Sequence, residues 1–133
     1  MSQENVEIVR RGLDALNQAD FEGWFATTSR EIKLYPLPDE PGVRPVYQGR
    51  DGLMEWMANW YSEWDEYEGE PVDVLDAGDQ VVVVMRETGR VTRVGLEVEQ
   101  DFSHSFRVRD GLIVEWRMHE THRQALEAAG LSE

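Results

Sequence analysis

The chemistry this sequence offers centres on one histidine set in an apolar row. In Phe102-Ser103-His104-Ser105-Phe106-Arg107-Val108, the two-residue period of a strand puts Phe102, His104, Phe106 and Val108 on one face. Ser103, Ser105 and Arg107 take the other. An imidazole in a core row is either tied off by a buried partner or looks into a cavity. In the second case it can take or give a proton near neutral pH. A second group of titratable residues, His119-Glu120-Thr121-His122, has a metal-binding look. Its spacing is not that of the helical zinc motif, and a shared metal would have to sit at a strand-to-helix corner, so no metal site is expected. Arg86 ends an apolar strand, and Asp39 and Glu40 lie in a proline-rich loop; solvation is the simpler reading of all three.

These residues need elements to hold them. Val6, Val9, Leu13 and Leu16 recur at helical spacing. Asn17 to Asp20 breaks that helix, and Asp20 can cap a short second one bearing Phe21, Trp24 and Phe25. Residues 31–35 read as a strand stopped by Pro36. Four prolines between residues 36 and 45 then demand a stiff loop, which is either the rim of a site or a solvated connection. Over residues 49–67, Leu53, Trp56, Met57, Trp60 and Trp64 share a helical face, with Asp51 as its cap. Such a wall serves as core packing, as the side of a cavity, or as both.

From Val72 the period becomes that of a sheet. Two strands meet at a turn over residues 76–79, a basic connection runs from Gly89 to Gly95, and a long strand extends from Leu96 to Val108. Asp110 and Gly111 turn the chain into the last strand. A three-residue loop would oppose Phe106 to Val114 and His104 to Trp116, apolar against apolar, and is preferred to the two-residue turn that opposes Phe106 to Glu115. The inward row is then Leu112, Val114, Trp116, Met118 and Glu120. Glu120 lies roughly 13 Å from Trp116 along the strand, which allows a place at the mouth of the pocket rather than contact with His104. Thr121 and Gln124 form a capping box for a closing helix. The expected fold is α+β: a curved antiparallel sheet, curled into a cone-shaped barrel, with N-terminal helices packed over its concave face.

Bulk properties narrow the partners. At 133 residues the chain fits one domain, residues 1–133. With 27 acidic against 13 basic side chains, and a net charge of −14, neither nucleic acid nor an anionic membrane is expected as a partner. No cysteine is present, which excludes disulfides and a thiol nucleophile. The chain has no signal-like start and no membrane-length apolar run, so a cytoplasmic protein is expected.

The stretches GRDGLMEWMANWYSEW, DAGDQVVVVMRETGR, FRVRDGLIVEWRMHE and RQALEAAGL resemble, in order and spacing, the SnoaL-like branch of the nuclear transport factor 2-like superfamily. That family includes polyketide cyclases, ketosteroid isomerases, dehydratases and epoxide hydrolases. The resemblance implies an apolar pocket between sheet and helices, a homodimer formed through the sheet, and no cofactor. The general-base aspartate of the steroid isomerases falls on Tyr35, their neutral aspartic acid on His104, and their helix tyrosine on Gly12, so the isomerase set is lacking. His104 is the stand-in for the acid/base residue of the cyclases. One reading is therefore a cofactor-free cyclase or isomerase acting on a small apolar carbonyl or polyketide-like compound. His104 would move the proton and Tyr35 donate a hydrogen bond, while Trp56, Trp60, Phe106, Trp116, Met118 and Glu120 would line the pocket. The alternative is a module of the same shape that only binds a hydrophobic ligand or dimerises.

Overall fold

The computed structural model describes residues 2–37 and 43–131; Asp39 and Glu40 lie outside the described residues. Its elements follow in the order α1 (Ser2–Asn17), α2 (Phe21–Ala26), β1 (Thr28–Tyr35), β2 (Tyr47–Gln48), α3 (Gly49–Ser62), β3 (Trp64–Ala77), β4 (Gln80–Val91), β5 (Leu96–Arg109), β6 (Leu112–His119) and α4 (His122–Ala128). The six strands make one sheet in the order β2-β1-β6-β5-β4-β3. All neighbours are antiparallel except β1 and β6, and the sheet stays open between its β2 and β3 edges. The architecture is the expected α+β one.

Local chemistry explains most boundaries. Asp20 accepts a hydrogen bond from the Gly23 amide and starts α2. Thr121 does the same for α4 through the Gln124 amide, while Gln124 Oε1 reaches back to the amide of Glu120, one residue before the cap, a variant of the expected capping box. Residues 76–79 form the expected turn, in which Asp76 Oδ1 accepts from the Gly78 amide.

Two sequence expectations are corrected. First, α3 ends at Ser62 and Trp64 opens β3, because Trp64 and Asp65 pair with Val91 and Arg90 of β4. The ladder of a neighbouring strand outweighs the helical spacing of the tryptophans. Gln48, not Asp51, is the cap position of α3, and it makes no side-chain cap bond. Second, Asp110 and Gly111 form a two-residue turn, both with positive φ (53° and 79°), the conformation that a tight hairpin of the right twist requires. Arg109 pairs with Leu112 and Val108 with Ile113, after which the register slips so that Arg107 meets Glu115 and Phe106 meets Trp116. Apolar does oppose apolar, through a bulge at Val114 rather than a longer loop. Ile113 is consequently the buried residue, while Leu112 is exposed and Val114 half-buried. The C-terminal helix α4, unlike the N-terminal ones, lies on the outer face. Ser103, Ser105 and Val82, on the outer side by alternation, are buried, and α4 contacts β4, β5 and β6. Ser103 Oγ meets His122 Nδ1 (3.3 Å) and the Gln80 side-chain amide donates to the Ala128 carbonyl.

The main core lies between the concave face and α1, α2 and α3. Val9, Trp24, Ile32, Leu34, Val81, Val83, Phe106 and Ile113 are fully enclosed there. β3, an edge strand, is irregular between Asp65 and Glu68 and again between Pro71 and Asp73. Such breaks increase local twist, and an edge strand is where the amide-less Pro71 is tolerated.

Candidate active site

On the concave face, the tryptophans of α3 and the aromatic residues of β5 and β6 enclose a cavity of about 60 Å³. Trp56 and Trp60, one helical turn apart, stack at 5.5 Å, and Trp116 stands edge-on to Trp56 at 5.5 Å. Phe106 and Met118 complete that wall, and Leu13, Leu16 and Asn17 of α1 contribute from above. The cavity is therefore mostly hydrocarbon with a few polar groups, the usual make-up of a small-molecule site.

Two of those polar groups are charged or titratable and almost fully enclosed. His104 is 5% exposed and Glu87, on β4, is 4% exposed. His104 Nε2 lies 3.6 Å from Glu87 Oε1, just beyond hydrogen-bonding distance. Neither His104 Nε2 nor Glu87 Oε2 has a hydrogen-bond partner among the described residues. Burying such atoms without partners costs free energy, and both residues line the cavity. On its other side the ring is held: Trp116 Nε1 donates to His104 Nδ1 at 3.0 Å.

Two tyrosines flank the carboxylate. Tyr67 on β3 and Tyr61 at the end of α3 meet edge to face at 5.6 Å, and both line the cavity. Burial, with the Glu87 charge as the second cause, pushes the Tyr61 phenol up to about 12 and the Tyr67 phenol higher still. Both therefore stay protonated and able to donate across the physiological range.

The sequence-derived residues divide cleanly. His104, Trp56, Trp60, Phe106, Trp116 and Met118 all border the cavity. Tyr35 does not. Ile32 and Leu34 of β1 are buried inward, so alternation turns Tyr35 to the outer face, where the Arg117 guanidinium lies 3.9 Å above its ring. Glu120 is exposed beyond the end of β6 and forms no part of the cavity wall. His119 and His122 are on the outer face, against Ser105 (2.8 Å) and Ser103 respectively, and among the described residues no three metal-ligating side chains converge. Arg86 is exposed on the outer face and paired with Asp101 at 3.1 Å. Gly12 packs against Trp24 and Thr27, which a side chain there would strike.

Glu87 was missed from sequence, yet the signal was present. Val81, Val83, Met85 and Glu87 alternate along one face of β4, and the first three are buried. A carboxylate at the end of such a row is as out of character as a histidine in the next strand.

Solved structures share this fold. An NTF2-like protein from Burkholderia xenovorans LB400 shares 27% identity over 97% of each chain, with a TM-score of 0.77. TerC, co-crystallised with polyporic acid, shares 20% identity over 96% of this chain and 98% of its own, at a TM-score of 0.80. A SnoaL-like protein of the polyketide-cyclase type from Mesorhizobium loti shares 22% over 85% of this chain and 96% of its own, at 0.70. None of the curated proteins matches the chain in sequence. The sequence pattern of the SnoaL-like domain matches residues 9–116, and the chain belongs to that family.

Proposed function

We propose that this protein binds a compact, largely apolar compound in the cavity beneath α3 and carries out cofactor-free proton transfer on it, at a carbon made acidic by a neighbouring carbonyl. The observation that carries this reading is the His104–Glu87 pair: two buried polar groups, each with an unpartnered atom, at the wall of an aromatic cavity. Proton transfer needs a positioned acid/base group and donors that steady the enolate, which a water-poor pocket strengthens. The tyrosine, indole and imidazole groups at the wall are of the right kinds. Family membership and the small-molecule complex of TerC support a ligand pocket. A cavity of about 60 Å³ is well under the roughly 150 Å³ that takes benzene, so a single-ring compound enters as the aromatic walls move apart, and a multi-ring polyketide is disfavoured.

The test is to replace His104 with Ala and measure affinity and turnover separately on a panel of small aryl ketones, with quenching of the cavity tryptophans as the binding signal. Loss of turnover with binding retained supports the enzyme. Binding without turnover in the wild type favours a binding module, and unchanged values of both for the variant retire the site. A homodimer through the outer face of the sheet belongs to the same proposal and is checked by light scattering. That face carries mixed charge, with Arg107 against Asp79 and Glu115, and Arg117 against Glu115. No helix among the described residues is long and apolar enough to cross a membrane.

A further inference from the structure

Resting on that reading, the geometry points to a division of labour within the pair: Glu87 is the base that removes the proton, and His104 is a neutral hydrogen-bond donor to the oxygen that becomes negative. Trp116 is the residue that sets this assignment.

The argument runs through a single hydrogen bond. An indole N–H can donate but has nothing to accept with. Since Trp116 Nε1 lies 3.0 Å from His104 Nδ1, Nδ1 must offer its lone pair, and the neutral ring carries its hydrogen on Nε2. Nδ1 is thus occupied and Nε2 already holds a proton. Neither nitrogen of the neutral ring is free to act as a base toward the cavity. What His104 presents there is an N–H with no acceptor among the described residues. The ring also packs against Phe106 (6.2 Å) and Trp116 (5.9 Å between centroids), which themselves stack at 5.7 Å, and its bond to the Trp116 indole sets its direction. The lone pairs that face the same space belong to Glu87, whose Oε2 has no partner. The other oxygen of the same carboxylate, Oε1, stands 3.6 Å from the His104 Nε2 donor, so carboxylate and N–H are close enough for a substrate C–H and its carbonyl oxygen to be engaged together.

The substrate class follows: a compact ketone, or a related carbonyl compound, with a C–H bond next to the carbonyl. Glu87 takes that hydrogen as a proton. The C–H bonding pair becomes the new C=C π bond, and the C=O π pair moves onto oxygen as an enolate held by His104 Nε2–H. Where the ketone also carries a C=C bond β,γ to its carbonyl, the enolate is a dienolate, and proton return from the now neutral Glu87 to its γ-carbon completes an isomerisation to the conjugated ketone. In a cyclisation, the enolate carbon attacks a second carbonyl of the same molecule and Glu87 returns its proton to the resulting alkoxide. Neither route consumes an oxidant or reductant, and Glu87 ends as it began.

The experiment uses phenylacetone in deuterated water, with NMR following exchange at its benzylic methylene, alongside nitrogen NMR of histidine-labelled protein. Wild type exchanges faster than buffer. Glu87→Gln loses about 10²- to 10⁴-fold, the scale of a lost general base. His104→Gln, which keeps an N–H donor, stays within about tenfold, whereas His104→Leu falls about 10²- to 10³-fold, as when an oxyanion donor is removed. Nitrogen NMR shows Nε2 of His104 protonated and Nδ1 not, and Trp116→Phe weakens that preference toward the modest Nε2–H bias of a free imidazole. Exchange that survives Glu87→Gln but dies in His104→Gln overturns the assignment alone. So does a ring protonated at Nδ1, whether or not the ketone is turned over. A wild type no faster than buffer overturns the proton-transfer reading itself and the assignment with it.

Discussion

Trp116→Phe and His104→Leu, made singly and together, give a stability test of the bond that holds the imidazole. Trp116 is 6% exposed, and beyond its bond to His104 it contacts Trp24, Trp56 and Phe106 at centroid distances of 5.6, 5.5 and 5.7 Å. Trp116→Phe keeps an aromatic ring there but removes the donor. The cost is about 1 kcal/mol for the hydrogen bond and about 1–3 kcal/mol for leaving Nδ1 buried without a partner. Lost ring atoms add about 1 kcal/mol. His104→Leu orphans the indole N–H and costs a similar amount. The double variant loses the bond once and leaves no orphan, so the two single losses should exceed the double loss by about 3–7 kcal/mol, one bond and two orphan penalties. Urea unfolding followed by far-UV circular dichroism measures all four proteins without relying on tryptophan emission. Losses that add to within about 0.3–0.5 kcal/mol would show that the two side chains do not interact, and the assignment of the ring's proton would lose its basis.

Other outcomes follow from single features. Glu87→Gln should raise stability by about 1 kcal/mol, or a few degrees in Tm, because burying a neutral amide costs less than burying a carboxylate oxygen without a partner; a fall in Tm on thermal unfolding contradicts this. Burial lowers the His119 imidazole from 6.5 to about 4. Below pH 6.5 the unfolded chain therefore takes up a proton that the folded protein refuses until about pH 4, so this group's share of stability declines as pH falls through that window. His119→Gln should flatten the decline relative to wild type in pH-dependent urea melts, and parallel curves would refute it. Gly111 sits at φ 79° with open space around it, so Gly111→Ala should cost about 1–2 kcal/mol through backbone conformation alone, whereas a neutral result in chemical denaturation would mean that the turn rearranges.

Much of this fold could be read locally. Helical spacing marked α1, Asp20 and Thr121 signalled two helix starts, and alternation placed His104, Phe106 and Val108 on one face of β5. The same rule, applied evenly, finds Glu87 after Val81, Val83 and Met85, and turns Tyr35 away behind Ile32 and Leu34. It was the transfer of a family role by spacing, not the periodicity, that put Tyr35 in the site. Side-chain direction along one strand is set by its own pleat, so these positions follow from sequence alone.

What tertiary structure decided was everything that depends on which strand lies beside which. The bulge at Val114 brings Trp116 opposite Phe106 and within reach of His104; no local pattern in β6 announces it. Trp64 left the helix because β4 offered it a ladder, and Ser103 and Ser105 became buried because α4 folded over the outer face. His104 and Glu87 stand on neighbouring strands, but the ladder sets His104 opposite Val83 and Glu87 opposite Gln100, so their meeting follows from how the packed side chains reach along the face and not from the pattern of either strand. Periodicity tells a side chain which way to face; only the packed chain determines what it meets there.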